Sequence, residues 1–163
     1  MLKHILAITV LSIAFTMPAL AQNAGHIAKA QNGQSCAGCN LFQADMAYRD
    51  VSGASFAKSR LRQSNLSLTT LSDVNLSGSD LSISNLFGAR LNRCNLTGAD
   101  LRQTSAVGTY FGSSNLSGTN LAGANLSGAD LSLTRGLTQS QLNKACGDAS
   151  TRLPHGLRIP RCR

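Results

Sequence analysis

The sequence predicts an all-β solenoid, a chain wound into stacked coils, and two observations support this fold class. An apolar residue recurs at every fifth position from Leu41 to Leu131 without an insertion. The residue two places before it is nearly always small, and the residue one place before it is usually Asn or Asp. A period of five fits neither an α-helix, with a period of about 3.6 residues, nor an alternating strand, with a period of about two. One core holds every apolar residue if the chain turns a corner after each unit, and Gly and Asn supply such turns.

The repeating unit reads small, Asn or Asp, Leu, then two variable residues, and it is clearest in residues 124–128. The central positions of the nineteen units are Leu41, Met46, Val51, Phe56, Leu61, Leu66, Leu71, Leu76, Leu81, Leu86, Leu91, Leu96, Leu101, Ala106, Phe111, Leu116, Leu121, Leu126 and Leu131. Over residues 39–133 this pattern resembles the pentapeptide-repeat family. The resemblance implies a right-handed quadrilateral β-helix with four units per coil and nearly five coils. Residues twenty apart would then stack on one face.

Two irregular positions carry specific expectations. Ala106 is the only Ala among the central positions, and it would share a coil with Phe111. A large and a small residue together keep the coil at native packing density. Arg49 lies where a small inward residue is usual. We expect there either a distorted register or an Arg49 side chain that reaches solvent at the end of the solenoid.

The first 21 residues have the features of a secretory signal peptide. Lys3 and His4 are followed by an apolar run from Ile5 to Phe15, and residues 19–21 read Ala-Leu-Ala. A basic start, a short apolar run and a small-x-small cleavage site in this order are typical of such signals. The run is shorter than the roughly 20 residues that span a bilayer. We expect cleavage after Ala21, a periplasmic or secreted protein, and no transmembrane segment in the mature chain.

Charge is distributed unevenly along the chain. Residues 40–133 contain seven Lys or Arg and six Asp, whereas residues 134–163 contain six Lys or Arg and one Asp. Some members of the resembled family imitate DNA with an acidic rod and modulate type II topoisomerases. A mimic of DNA needs dense negative charge, so the nearly neutral repeat makes this role improbable and nucleic acid an unlikely partner. The basic tail, with Arg152, Arg158, Arg161 and Arg163, suggests an alternative, which is binding to anionic surfaces such as lipid head groups, lipopolysaccharide or nucleic acid.

Both ends of the solenoid need a cap, because they expose unpaired backbone groups. Residues 22–38 precede the repeat, show no periodicity and contain a Cys-x-x-Cys; residues 22–34 are expected to be mobile. In residues 134–163, Thr138 and Gln141 have the spacing of a capping box. A capping α-helix is therefore predicted from about Gln139 to Cys146, with Gly147 as its C-cap, followed by an irregular or extended tail.

The cysteines are expected to be structural. The pairs Cys36–Cys39 and Cys146–Cys162 are disulfide candidates, because exported proteins favour disulfides and the rod would separate its two ends by more than a disulfide spans. Plain thiols remain an alternative for the first pair. The fifth cysteine, Cys94, occupies a small inward position and is predicted to be free.

No cofactor, metal site or catalytic residue is predicted. His26 and His155 have no evident partner, and the Asp residues occur singly at repeat positions. A haem attachment would need His after Cys39, where Asn40 stands. The rod would also present flat faces rather than a cleft, so we expect a protein that is not an enzyme.

One group of outward positions is apolar on an otherwise polar rod. Phe87 and Val107 would stack one coil above the other, with Leu68 and Tyr48 on the same face and Ile83 at the neighbouring corner. Contiguous exposed apolar patches usually mark interaction surfaces. Three occupants are open at this point: another protein, a second copy of the chain, or the N-terminal segment or basic tail folded back. The sequence thus favours a non-catalytic interaction or scaffold module with an unidentified protein partner or self-association.

Overall fold

The computed structural model describes residues 23–163, and they form a solenoid of stacked four-sided coils. Parallel bridges join residues that are twenty positions apart, at every fifth residue from Asn40↔Arg60 to Asn115↔Arg135. Each coil therefore consists of four five-residue sides, and each side pairs with its neighbour through a single bridge residue rather than a longer strand. The predicted solenoid is confirmed. The predicted signal peptide, residues 1–21, lies outside the described residues.

Asn and Asp precede the central residue because they build the corner that follows it. The Asn65 side-chain oxygen accepts a hydrogen bond from the backbone N–H of Ser67 at 3.2 Å, and Asp80 accepts from the backbone N–H of Ser82 at 3.0 Å. Such a bond to the backbone two residues ahead stabilises a turn. The second corner residue is left-handed, as at Gly108 with φ of 65°. The repeat signature is therefore a turn signature as well as a core signature.

The core is a column of the central residues, all of which are buried. Burying one Leu side chain stabilises the fold by about 1.5–3 kcal/mol relative to exposure. The small residues two places earlier are buried beside them, and their hydroxyls bond to backbone carbonyls, as Thr69 Oγ1 does to Met46 O at 2.8 Å. Within residues 23–163, no buried side-chain nitrogen or oxygen lacks a hydrogen-bond partner. Ala106 and Phe111 are both fully buried, as the volume argument requires.

The register is regular at Arg49, and its side chain is exposed to solvent. The bridges Asp45↔Asn65 and Asp50↔Thr70 lie on either side of it. The carbonyl of Arg49 accepts a hydrogen bond from the Thr70 N–H at 2.8 Å. Of the two outcomes expected for Arg49, the solvent-exposed side chain is therefore the one observed.

The first coil begins one unit earlier than predicted. The Cys36 N–H donates to Ser55 O at 2.7 Å, in the same pattern as Leu41 N–H to Arg60 O at 2.8 Å. Cys36 lies five residues before Leu41 and is buried like a central residue. The Cys-x-x-Cys sequence is therefore part of the solenoid and does not belong to a preceding segment.

The N-terminal segment contains a helix where a mobile segment was expected. Helix α1 spans Ala24–Gln31, its N-cap is Asn23, and its Ala30 side chain is fully buried. It caps the open coil directly, because His26 Nδ1 accepts the Asn40 N–H at 3.1 Å and Gln31 Nε2 donates to Asp45 O at 2.7 Å. A short helix is marginal alone and depends on such tertiary contacts, so no local sequence signal predicted it.

The predicted capping box is present, but its helix is short. Helix α2 spans Gln139–Leu142, with reciprocal hydrogen bonds between Thr138 and Gln141, and its C-cap is Asn143 rather than Gly147. The helix ends early because the chain then returns to the solenoid, where Cys146 bridges to Asn125. Helix α2 thus takes the place of one side of an additional, partial coil, and it does not cap the solenoid as the longer helix predicted from the sequence would.

The C-terminal tail, residues 147–163, forms a lid over the last coil. Leu153, Leu157 and Ile159 are partly buried against the core. Gly147 permits this approach, because a Cβ atom there would lie 3.1 Å from Ile159 Cγ2. Gly147 also forms a parallel bridge with Arg161. The tail thus has the irregular or extended backbone that the sequence predicted, with isolated bridges only, and its apolar side chains pack against the core.

Asp148 makes the turn beneath this lid sensitive to acid. Asp148 Oδ1 accepts a hydrogen bond from the Ser150 hydroxyl at 2.7 Å and another from the Gly128 N–H at 3.0 Å. These hydrogen bonds, that from Ser150 first, lower the pKa of Asp148 from 3.8 to about 2. Because the folded pKa is depressed, the stabilisation is complete above the unfolded pKa and is lost as pH falls through about 2.

We predict that the Gly128 amide proton shift, followed by NMR during acid titration, changes with a midpoint near pH 2 rather than near 3.8. Asp148→Asn retains an acceptor oxygen and should abolish this transition while the other amide shifts of the last coil are unchanged. A midpoint at the ordinary carboxyl value would mean that the turn does not hold Asp148 as described.

Candidate interaction surface

Four of the five predicted apolar residues lie together along one corner of the solenoid. This apolar corner comprises Tyr48, Leu68, Phe87 and Val107, which occupy the same turn in four successive coils. Tyr48 is 78% exposed and Phe87 is 51% exposed, so large side chains project into solvent. Ile83 is 39% exposed and lies at the preceding corner, across one face of the rod.

The face between Ile83 and the apolar corner is flat and polar. Its side chains form a ladder in which Asn85 Nδ2 donates to Asn65 Oδ1 at 3.3 Å and Asn65 Nδ2 donates to Asp45 Oδ1 at 3.1 Å. These groups already bond along the rod axis, and Asn85 and Asn65 also hold the following turns. A partner at this part of the rod would therefore contact the corner side chains rather than the ladder of Asn and Asp side chains.

Neither end segment folds back over the apolar corner. Helix α1 contacts the open end of the first coil, and the tail residues pack against the last coil. Tyr48, Leu68 and Phe87 are exposed with residues 23–163 in place. Within those residues, the expectation that the N-terminal segment or the tail covers the corner is wrong.

The exposed apolar residues are held in an unfavourable backbone conformation. Tyr48, Leu68 and Ile83 have φ values of 61°, 56° and 59°. The left-handed region costs an L-residue about 1–2 kcal/mol, and it is least favourable for bulky or β-branched side chains. Equivalent turns elsewhere use either Gly, as at Gly108, or a polar residue, as at Gln63 and Gln103. None of the three side chains is fully buried, and Tyr48 is mostly exposed, so a polar residue or Gly would serve the fold at these turns and binding explains the apolar ones better.

Sequence reasoning missed two other surface features. Leu133 is 60% exposed at a different corner. No apolar residue stacks with it there, so the spacing of the sequence did not indicate it. A shallow open recess lies beside Ile83 between Arg62 and Arg102. Arg102 binds the Asp100 carboxylate at 2.6 Å, and this hydrogen bond lowers the pKa of Asp100. The recess therefore has one guanidinium that is already paired with a carboxylate.

The cysteines are paired as the sequence predicted. Cys36 and Cys39 are joined with a Cα–Cα distance of 5.5 Å, and Cys146 and Cys162 with one of 4.8 Å. Cys94 is free and buried, and its Sγ donates to Leu71 O at 2.6 Å. Burial raises the pKa of the Cys94 thiol to about 11. Since the thiolate is the reactive form, Cys94 is an inert core residue.

The four basic tail residues are all exposed. Arg152, Arg158, Arg161 and Arg163 lie on the lid over the last coil. Arg152 Nη1 lies 3.8 Å from Asp130 Oδ2. Within residues 23–163, no group of three or more His, Cys, Asp or Glu could hold a metal ion, and no helix there has the length and hydropathy needed to cross a bilayer.

Comparison with known proteins identifies the repeat. A family model for pentapeptide repeats matches in eight copies, over residues 35–73, 50–86, 84–121 and 94–132, which is more than half of the chain. This chain belongs to the pentapeptide-repeat family. The first match begins at residue 35, in agreement with the early start of the first coil. No curated protein matches the chain in sequence.

Solved pentapeptide-repeat structures resemble this chain at the level of the fold. QnrB1, described as a plasmid-mediated fluoroquinolone resistance protein, is 18% identical, with a TM-score of 0.52 over 77% of this chain and 79% of that one. A pentapeptide-repeat protein from the thylakoid lumen of Arabidopsis thaliana is 27% identical, with a TM-score of 0.46 over 60% of this chain and 70% of that one. The similarity to QnrB1 supports the solenoid fold and assigns no partner.

We predict that Ile83→Gly leaves the free energy of unfolding unchanged or raises it by up to about 1 kcal/mol, because it relieves the left-handed strain. Gln103→Gly, at the same turn position one coil further, has a φ of 55° and is the matched control. Denaturant unfolding measures both. A loss of more than about 2 kcal/mol in Ile83→Gly alone would mean that this side chain serves the fold.

Proposed function

We propose that this pentapeptide-repeat protein is an exported, non-catalytic interaction module that binds its partner through the apolar corner. The observation that carries the proposal is the combination of exposure and left-handed backbone at Tyr48 and Leu68, with the exposed Phe87 on the same corner. A fold under selection for stability alone would carry Gly or a polar residue at these turns. Exposed contiguous apolar side chains are typical of surfaces that bind other proteins.

Several features support a role without catalysis. The repeat Asn and Asp residues hold turns, as Asn85 does for Phe87 and Asp80 for Ser82. The Cys94 thiol is buried and has a raised pKa. His26 accepts a hydrogen bond from the first coil and so acts in capping. His26, Asp80, Asn85 and Cys94 therefore each have a structural task.

The other two roles that the sequence raised are less well supported. Binding of anionic surfaces through the basic tail is supported only by its exposed arginines, and the packing of Leu153 and Ile159 against the core already explains the tail structurally. Topoisomerase modulation by DNA mimicry requires an acidic rod, and residues 40–133 carry seven cations against six anions. The similarity to QnrB1 is one of fold and does not extend this role to the present chain.

Export is proposed from the N-terminal sequence and from the cysteines. Two disulfide-bonded pairs suit an oxidising compartment such as the periplasm or the cell exterior. We predict that intact-mass analysis of protein from its native host finds Gln22 as the first residue. A species that retains Met1 or begins at Leu2 would contradict the export proposal.

The binding surface is tested with the double variant Phe87→Ser, Val107→Ser. It should fold normally by circular dichroism, because neither side chain is a central residue: Phe87 is exposed and Val107 is half-buried. It should lose partners that crosslink to the unaltered protein in extract of its native compartment. Leu133→Ser, which removes an exposed apolar side chain from another corner, is the matched control and should retain them.

Two results would oppose this assignment. If the double variant captures the same partners as the unaltered protein, the apolar corner is not the binding surface. If the double variant fails to fold, the two side chains are structural, and their exposure has been misinterpreted.

A further inference from the structure

The apolar corner has a size pattern that fits a copy of itself. Each of its four turns pairs one large residue with one small residue, and the order reverses halfway along the rod. The four pairs, in chain order, are Ala47 and Tyr48, Ser67 and Leu68, Phe87 and Gly88, and Val107 and Gly108. In the first two turns the second residue is the large one, and in the last two turns the first residue is the large one.

We propose that two copies of this chain pack side by side along this corner, antiparallel, about a two-fold axis between the turns 67–68 and 87–88. The inference rests on the proposed function, because it names the occupant of the same surface. Two-fold contacts use one patch on both subunits, so that patch must be complementary to itself. The reversal of large and small residues halfway along the corner provides this property.

The size match follows from the coil spacing. Reversal about the proposed axis brings Tyr48 opposite the partner's Gly108, and Phe87 opposite the partner's Ser67. Val107 then meets the partner's Ala47. Leu68 leans over Gly88 of its own chain, where a Cβ atom would lie 2.7 Å from Leu68 Cδ2. The two Leu68 side chains consequently meet each other at the axis and close the centre of the contact.

Charge selects the antiparallel direction. Side-chain size alone also permits a parallel pair. In that pair the first residue of each turn lies opposite the second residue of the same turn in the partner. In that pair the face carrying Asp45 would lie opposite the partner face carrying Asp50, so that carboxylates meet twice, and like charges across an interface are unfavourable. In the antiparallel pair Asp50 lies opposite the partner's Tyr110, and Asp45 lies opposite the partner's Ser105. No like charges face each other there.

The small contact area per subunit predicts a weak dimer. Four side chains per subunit form a contact well below the roughly 800 Å² per partner of a standard stable interface. The association should therefore depend on concentration, with a dissociation constant in about the micromolar range or above.

Sedimentation of the purified protein over a concentration series tests the pairing. Ser67→Asp places a carboxylate against the partner's Phe87 and should raise the dimer dissociation constant by about tenfold or more. Adding Phe87→Lys to Ser67→Asp should restore dimerisation, because the two new charges then lie opposite each other. Ser77→Asp is the matched control. Like Ser67, Ser77 donates its N–H to the Asn two residues earlier, but it lies at another corner.

Crosslinking tests the direction. A short bismaleimide should join Ala47→Cys to Val107→Cys when the two single variants are mixed, and should not join Ser77→Cys to Val107→Cys. Stronger crosslinking of Ala47→Cys to itself than to Val107→Cys would indicate a parallel pair and overturn the proposal. The native Cys94 is buried and does not compete.

The outcomes separate this inference from the proposed function. If the protein stays monomeric at every concentration while Phe87→Ser, Val107→Ser loses a captured partner, the dimer is refuted and the binding surface stands. If a dimer forms but Ser67→Asp does not weaken it, the contact lies elsewhere and the proposal also fails. If neither association nor capture depends on the corner, both proposals fail.

Discussion

The stacking of one side chain in five into a central column is the constraint on which the rest of the structure depends. Each coil closes after twenty residues and pairs with the next through parallel bridges, so the position of every residue follows from its place in the unit. The central residue and the small residue before it are committed to the core. The Asn or Asp between them is committed to the turn. Only the two corner residues are free to vary.

This division explains why function is expected at corners. The faces of the rod carry side chains that already bond along the axis, such as Asn65 with Asp45. Corner residues contribute little to the core, and many of the second ones are Gly. Where Tyr48, Leu68 and Ile83 take this position instead, the chain accepts left-handed strain without full burial in return. Strain that the fold does not require is a reason to look for binding.

The sequence predicted those features that periodicity or local chemistry specifies. The fivefold period gives the solenoid, Thr138 and Gln141 give the capping box, and residue spacing gives the apolar corner. Helix α1 and the tail lid were not predictable in this way, because they depend on contacts between distant residues, such as Ile159 over Gly147. Cys36 at a central position was open to prediction, since it lies five residues before Leu41, but the interpretation of Cys36 as part of a disulfide pair in a segment before the repeat obscured it.

The central claim is that the apolar corner, and no other surface, mediates association. Amide chemical shifts of the isotope-labelled protein, recorded by NMR over a wide concentration range, test it most directly. The account predicts concentration-dependent shifts at residues 47–48, 67–68, 87–88 and 107–108, with the other three corners unchanged. Shifts confined to helix α1, the tail lid or another corner, or no shifts at any concentration, would contradict it.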